Sequence, residues 1–95
     1  MNKYEIMFIV RPDMEEAEIR KTAENMKKVL TDKKANILEE KAMGQRELAY
    51  EIKKFNTGYY YLYVVEATND AEQEFNRVAR INENILRHLI VKVEE

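Results

Sequence analysis

The chain has 95 residues, of which 45% are hydrophobic and 36% charged, and its formal net charge is −2. This length predicts one domain, residues 1–95, whose hydrophobic core is large enough to be stable without metal ions or disulfides. The absence of cysteine excludes disulfides and thiolate metal sites. Because no segment has the length of a membrane span or the pattern of a signal peptide, we expect a cytoplasmic protein without membrane contact. An RNA-binding chain with this charge balance would have to sort its charges onto separate faces.

The first third of the chain predicts a strand followed by a helix. Residues 3–10 form an apolar run that ends before Pro12, because proline cannot donate a hydrogen bond to a strand ladder. Both faces of this run are apolar near its middle, which is typical of a central strand. Asp13 and Glu16 resemble a capping box, and the apolar stripe that follows predicts an amphipathic helix ending near Lys33.

The middle of the chain predicts a β-hairpin. Residues 35–43 indicate a weaker strand, and we expect a bulge or bend there before Gly44. Strand pairing should resume over residues 48–52, where apolar and polar side chains alternate. A polar connection is predicted at residues 53–58, whose last residue is a glycine that tolerates positive φ. Residues 59–67 are the most strand-like run in the sequence.

The last third predicts a second helix and a final strand. Residues 68–70 offer several N-cap side chains, and the apolar stripe over 71–79 has helical spacing. Turn residues at 82–84 precede a strand over 85–93, and Glu94-Glu95 forms an acidic end. The order strand, helix, strand, strand, helix, strand predicts an α+β protein with a ferredoxin-like βαββαβ sandwich. In that fold two helices cover one face of a four-stranded antiparallel sheet.

The residue types present do not favour an enzyme. The chain contains neither serine nor cysteine, and its two glycines are too far apart for a phosphate loop. His88, the only histidine, has no histidine or cysteine partner that would complete a metal site. We therefore predict no catalytic residue, no metal ligand, no cofactor and no small-molecule substrate. An enzyme that uses His88 with a carboxylate stays open as an alternative.

The strand alternation also predicts an uncovered apolar face. If Tyr4, Ile6, Phe8 and Val10 face the helices, the opposite face carries Met7, Ile9, Tyr60, Leu62, Val64, Leu89 and Val91. A contiguous apolar patch in a small domain usually marks an interface, and Lys3, Arg46 and Arg87 are expected near its rim. A one-residue slip in register would exchange the two faces, so that alternative stays open. Tyr60 is the only aromatic residue predicted there, and a glycine-rich RNA-stacking motif is missing, which weighs against the stacking of single-stranded RNA. Structured RNA contacted by arginines and lysines at the rim, with a protein on the apolar patch, stays open.

Residues 44–53 resemble the signature of the family of the sixth protein of the bacterial small ribosomal subunit. The compatible positions are Gly44, Arg46, Glu47, Leu48, Ala49, Tyr50, Ile52 and Lys53. The resemblance continues through Lys3-Tyr4-Glu5, Arg11-Pro12, Gly58-Tyr59 and Ile85-Leu86-Arg87-His88. One departure is Asn2-Lys3, where some relatives begin with two basic residues.

This resemblance implies a ferredoxin-like fold and a structural role in assembly of the small subunit. It also implies binding to the central domain of small-subunit ribosomal RNA, as a heterodimer with the eighteenth protein of that subunit. Arg46 and Lys53 match signature positions and Arg87 matches a basic residue, and with Lys3 they are the RNA-binding candidates on grounds of charge. The rival reading is a small-molecule regulatory domain that pairs its sheet with a second copy of itself.

Overall fold

Six elements make up the part of the chain that the computed structural model describes, residues 1–93. They are β1 (Asn2–Val10), α1 (Glu16–Asp32), β2 (Asn36–Ile52), β3 (Phe55–Ala67), α2 (Asn69–Ile81) and β4 (Ile85–Val93). The strands form one antiparallel sheet in the order β2-β3-β1-β4. The predicted ferredoxin-like βαββαβ sandwich is therefore confirmed, while the acidic end at Glu94-Glu95 lies outside the described residues.

The core lies between the two helices and one face of the sheet. Phe8 stands at its centre, with its ring stacked on Tyr61 at a centroid distance of 5.3 Å and in edge contact with Tyr63 at 5.4 Å. The ring of Phe75 from α2 packs against it at 6.0 Å. The side chains of β1 predicted to face the helices are all buried, so the predicted assignment of the two faces of β1 is correct.

The two helices begin in different ways. Thr68 caps α2, because its hydroxyl accepts a hydrogen bond from the Ala71 amide at 3.2 Å. The capping box predicted for α1 is wrong, because Asp13 instead accepts two hydrogen bonds from the Arg11 guanidinium at 2.7 and 2.9 Å. Helix α1 starts at Glu16 and follows Glu15, whose side chain makes no capping bond.

The β2–β3 hairpin is longer and tighter than the sequence predicts. Its turn consists of Lys53 and Lys54 alone, both with positive φ (50° and 70°), and β3 already begins at Phe55. The predicted connection over residues 53–58 is therefore wrong. Two residues with positive φ between paired strands are typical of a type I′ turn, whose twist matches that of the strands it joins.

Gly58 lies inside β3, and its role is to leave space. A Cβ at this position would collide with the Cγ2 methyl of Ile9 and lie 3.3 Å from the Val10 carbonyl oxygen. Gly44 is the glycine with positive φ, at 81°, and it sits where the pairing of β2 with β3 shifts by one residue. The bulge predicted before Gly44 is thus confirmed, and further register shifts occur between Ile37 and Glu39 and between residues 47 and 52.

Candidate protein and nucleic-acid interface

The face of the sheet that the helices leave uncovered carries the predicted apolar set, and we call it the open sheet face. Met7 lies opposite Leu62 on one side and Leu89 on the other, and residues opposite each other in antiparallel strands share a face. Its seven predicted members are Met7, Ile9, Tyr60, Leu62, Val64, Leu89 and Val91. Leu89 and Val91 are the most exposed of them, at 49% and 47%.

Charged residues interrupt the open sheet face at the end where β1 begins. Glu5 is exposed and lies between Val64 and Val91 in the register, and Glu39 lies opposite Val64 from the other side. Lys41 lies opposite Leu62 and forms an ion pair with Glu39 at 3.2 Å. The apolar patch is therefore concentrated toward the middle and the far end of the sheet.

The far end of the open sheet face is covered by the chain itself. Between residues 47 and 52 the β2 ladder breaks, and this arm folds over the sheet. Leu48, Tyr50 and Ile52 from the arm line a partly open cavity of about 150 Å³ together with Met7, Ile9, Tyr60 and Leu89. Ile9 is consequently only 4% exposed, so it lines the cavity rather than the accessible patch to which the sequence assigned it.

Three of the four predicted cationic residues lie at this covered end. Arg87 is opposite Ile9, and its guanidinium carbon is 5.7 Å from the centre of the Tyr50 ring. Arg46 is opposite Gly58, and its Nε donates a hydrogen bond to the Met43 carbonyl at 3.2 Å. Lys53 lies in the hairpin turn itself.

Lys3 is separated from the other three cations. It is opposite Glu66 and Val93 at the other end of the sheet. Ile9 follows Lys3 by six positions along β1, which corresponds to about 20 Å of extended strand. Lys54 joins Lys53 in the turn and was missed from the sequence. The sequence does contain one indication that Lys54 belongs with the candidates, because it directly follows Lys53 in the predicted hairpin connection.

The end of the hairpin, residues 50–57, is held by contacts on both arms. Arg87 stacks on Tyr50 of the β2 arm, and the Arg11 guanidinium lies 5.2 Å from the ring centre of Phe55 on the β3 arm. Between the arms, the Gln45 amide donates a hydrogen bond to the Thr57 hydroxyl at 3.1 Å. Such cation–π contacts fix an arginine and a ring relative to each other.

His88 lies on the helix-facing side of the sheet, where its contacts join β4 to α2. Its Nε2 is 2.5 Å from the amide oxygen of Asn76, and its ring meets Phe75 edge-on. Burial, with a smaller contribution from the charge of Arg80, lowers the pKa of His88, so the imidazole is favoured in its neutral form. Within residues 1–93 no three acidic, histidine or cysteine side chains are grouped to hold a metal ion.

The comparison with known families decides which family this chain belongs to. The model of the family described as Ribosomal protein S6 matches residues 3–92. The chain belongs to the ribosomal protein S6 family. That membership confirms the resemblance read from residues 44–53, and it classes the protein as structural rather than enzymatic.

Two sequence relatives match this S6-family chain over their full length, and a solved structure matches its fold. The small ribosomal subunit protein bS6 of Halalkalibacterium halodurans is 50% identical, and that of Shouchella clausii is 45% identical, with 100% of each chain covered in both cases. The crystal structure of 30S ribosomal protein S6 from Thermotoga maritima matches with a TM-score of 0.92 and 33% identity. This match covers 97% of the present chain and 87% of the Thermotoga chain.

Membership of the S6 family also agrees with the predicted cytoplasmic location on the ribosome. In the described part of the chain, no helix is both long and apolar enough to cross a membrane.

Proposed function

We propose that this S6-family chain binds the central domain of small-subunit ribosomal RNA as a heterodimer with the eighteenth small-subunit protein, and so assists assembly of the subunit. The observation that carries the proposal is the junction of two surfaces. A partly exposed apolar sheet face runs into an end of the sheet that carries Arg46, Lys53 and Arg87. The relatives' names, which place them in the small subunit, support the ribosome as the site of action.

The apolar part of this surface supports a protein partner. The two helices already cover the other face of the sheet, and within residues 1–93 Leu89 and Val91 remain about half exposed on the open sheet face. Apolar surface removed from water contributes about 25 cal/mol per Å², which makes such a face a favourable docking area. RNA offers little apolar surface in its helices, so we assign this face to the protein partner.

The charged part supports contact with phosphates. The net charge of −2 gives no general attraction to RNA, so binding must rely on a local group of cations. Each phosphate that a cation neutralises releases counterions and steepens the dependence of affinity on salt. We infer that the partner supplies further positive charge, and that the two proteins together present a composite RNA-binding surface.

The test compares RNA binding with and without the partner. Fluorescence anisotropy with labelled central-domain RNA, at salt concentrations from about 50 to 200 mM, gives the affinity and the salt slope. We expect weak binding by the chain alone, and stronger binding with a steeper slope when the eighteenth protein is added. A scrambled RNA of equal length is the control.

Equal affinity with and without the partner would contradict this mechanism. Sedimentation of the isolated chain at micromolar concentration addresses the rival reading. A stable homodimer would favour the regulatory domain that pairs its sheet with a second copy, because the open sheet face would then be occupied by itself.

A further inference from the structure

The hairpin turn is formed by two residues that are unusual in its conformation. Lys53 and Lys54 both have positive φ, at 50° and 70°. Residues other than glycine seldom adopt positive φ, and asparagine or aspartate followed by glycine is the usual sequence of such a turn. The sequence therefore places two long cationic side chains where local backbone preference favours short ones.

Both ammonium groups lack an acidic partner in the described chain. Neither Lys53 nor Lys54 forms an ion pair or side-chain hydrogen bond within residues 1–93, and both residues are exposed. Other lysines of the protein are paired, such as Lys27 with Glu40 at 3.0 Å. The turn thus presents two positive charges that nothing in the described fold neutralises.

The two strand arms that carry the turn are held in place by contacts with the rest of the sheet. The stacking of Arg87 on Tyr50 and of Arg11 on Phe55 ties the two arms to β4 and to the end of β1. Leu48 and Ile52 pack over the cavity on the open sheet face. A group held in position before binding loses less conformational entropy on binding, which favours a contact made by this turn.

From these observations we propose that the turn is an RNA-contacting finger, in which Lys53 and Lys54 bind two backbone phosphates. The inference rests on the proposed RNA-binding function and adds Lys54 and the geometry of the turn to it. Phosphates are the ligand because two adjacent ammonium groups without acidic partners match two successive phosphates in charge. Such contacts position the RNA backbone and carry no base specificity.

The test uses two double variants in the complete heterodimer. Lys53→Gln/Lys54→Gln removes both charges and keeps an unbranched polar side chain of nearly the same length, whereas Lys53→Asn/Lys54→Gly removes both charges and supplies the preferred turn residues. The salt slope should become shallower by about 1.4 to 1.8, from about 0.7 to 0.9 per phosphate contact. If affinities converge at 1 M salt, this corresponds to roughly 25- to 60-fold weaker binding at 0.1 M.

Lys34 provides the matched control. It is an exposed lysine with φ of 64°, but it precedes β2 at the opposite end of the sheet, where β2 begins opposite Glu66. Lys34→Gln should leave both RNA affinity and salt slope unchanged. The Asn-Gly variant should also raise the urea midpoint of unfolding, which shows that its loss of binding does not come from unfolding.

The outcomes separate this inference from the function on which it rests. Weaker binding and a shallower slope in both double variants, with Lys34→Gln unaffected, would support the finger. Unchanged binding by the double variants, or an equal loss in Lys34→Gln, would overturn it while the function stands. Failure of the unmodified heterodimer to bind central-domain RNA would overturn the proposed function, and the finger with it.

Discussion

Replacing Gly58 by alanine tests whether this glycine is required for space rather than for backbone freedom. The added Cβ would collide with the Cγ2 methyl of Ile9, which is 4% exposed and cannot move toward solvent. Overpacking of this kind costs about 1–3 kcal/mol. Alanine in a strand recovers about 0.5–1 kcal/mol that glycine loses in conformational entropy. Because the collision is with a buried side chain, the upper part of the overpacking range, about 2–3 kcal/mol, applies. After the entropic gain we expect the free energy of unfolding to fall by about 1–2.5 kcal/mol.

A double-mutant cycle in urea identifies the cause. Ile9→Ala removes the Cγ2 methyl and should cost about 2–5 kcal/mol alone, because the side chain is buried. In its presence, Gly58→Ala should cost less than in the wild type, with a coupling of about 1 kcal/mol or more. Gly44→Ala is the control. It should cost about 1–2 kcal/mol through its φ of 81°. It should show no coupling to Ile9, since no atom lies within 4 Å of a Cβ at Gly44.

The measurement is equilibrium unfolding in urea, followed by far-UV circular dichroism, with the slope m checked for constancy across variants. Additivity between Gly58→Ala and Ile9→Ala would refute the steric account. So would a Gly58→Ala variant whose free energy of unfolding lies within about 0.5 kcal/mol of the wild type, which is the range of neutral surface changes.

Two further predictions concern the two faces of the sheet. Leu89→Ser/Val91→Ser should weaken binding of the eighteenth protein about tenfold or more, measured by titration calorimetry, and should lower stability by about 1–2 kcal/mol, because each side chain is about half buried. Ile90→Ser, which faces the core, should by itself destabilise the fold by about 2 kcal/mol or more. Equal partner binding by the double variant would contradict the interface. Burial raises the pKa of Tyr63, whose hydroxyl donates to the Ala23 carbonyl. Since the unfolded chain releases this proton near pH 10 and the folded chain holds it, stability should fall as pH rises above about 10. Tyr63→Phe should remove that part of the alkaline loss while costing about 1 kcal/mol at neutral pH, and an unchanged alkaline profile in urea unfolding would refute the assignment.

The order and facing of the elements could be predicted because they depend on short-range periodicity. The alternation over β1 assigned Tyr4 and Phe8 to the core, and both are buried. The capping box failed at Asp13 because Arg11, two residues away, binds the carboxylate more strongly than a helix amide would. The prediction of a connection over residues 53–58 was wrong because Lys53 and Lys54 have no intrinsic preference for positive φ. Their conformation depends on the pairing of the strands around them.

The sequence could predict which face of the sheet the residues of the candidate site lie on, but not how exposed each of them is. Ile9 shares a face with Tyr60 and Leu89, as its register requires. Its burial depends on the arm that folds back after residue 47, which is a consequence of a broken ladder rather than of any local pattern. The separation of Lys3 from Arg87 likewise follows from the register, which the sequence alone does not fix.

The irregular pairing of β2 has a consequence for the unassembled chain. This strand runs for 17 residues along an outer edge of the sheet, where a long regular strand would offer its free amides and carbonyls to another molecule. Three register shifts interrupt it, so no long uninterrupted row of these groups is presented. The same shifts that bend the arm over the sheet thus discourage copies of the protein from joining edge to edge into fibres before they reach their partners.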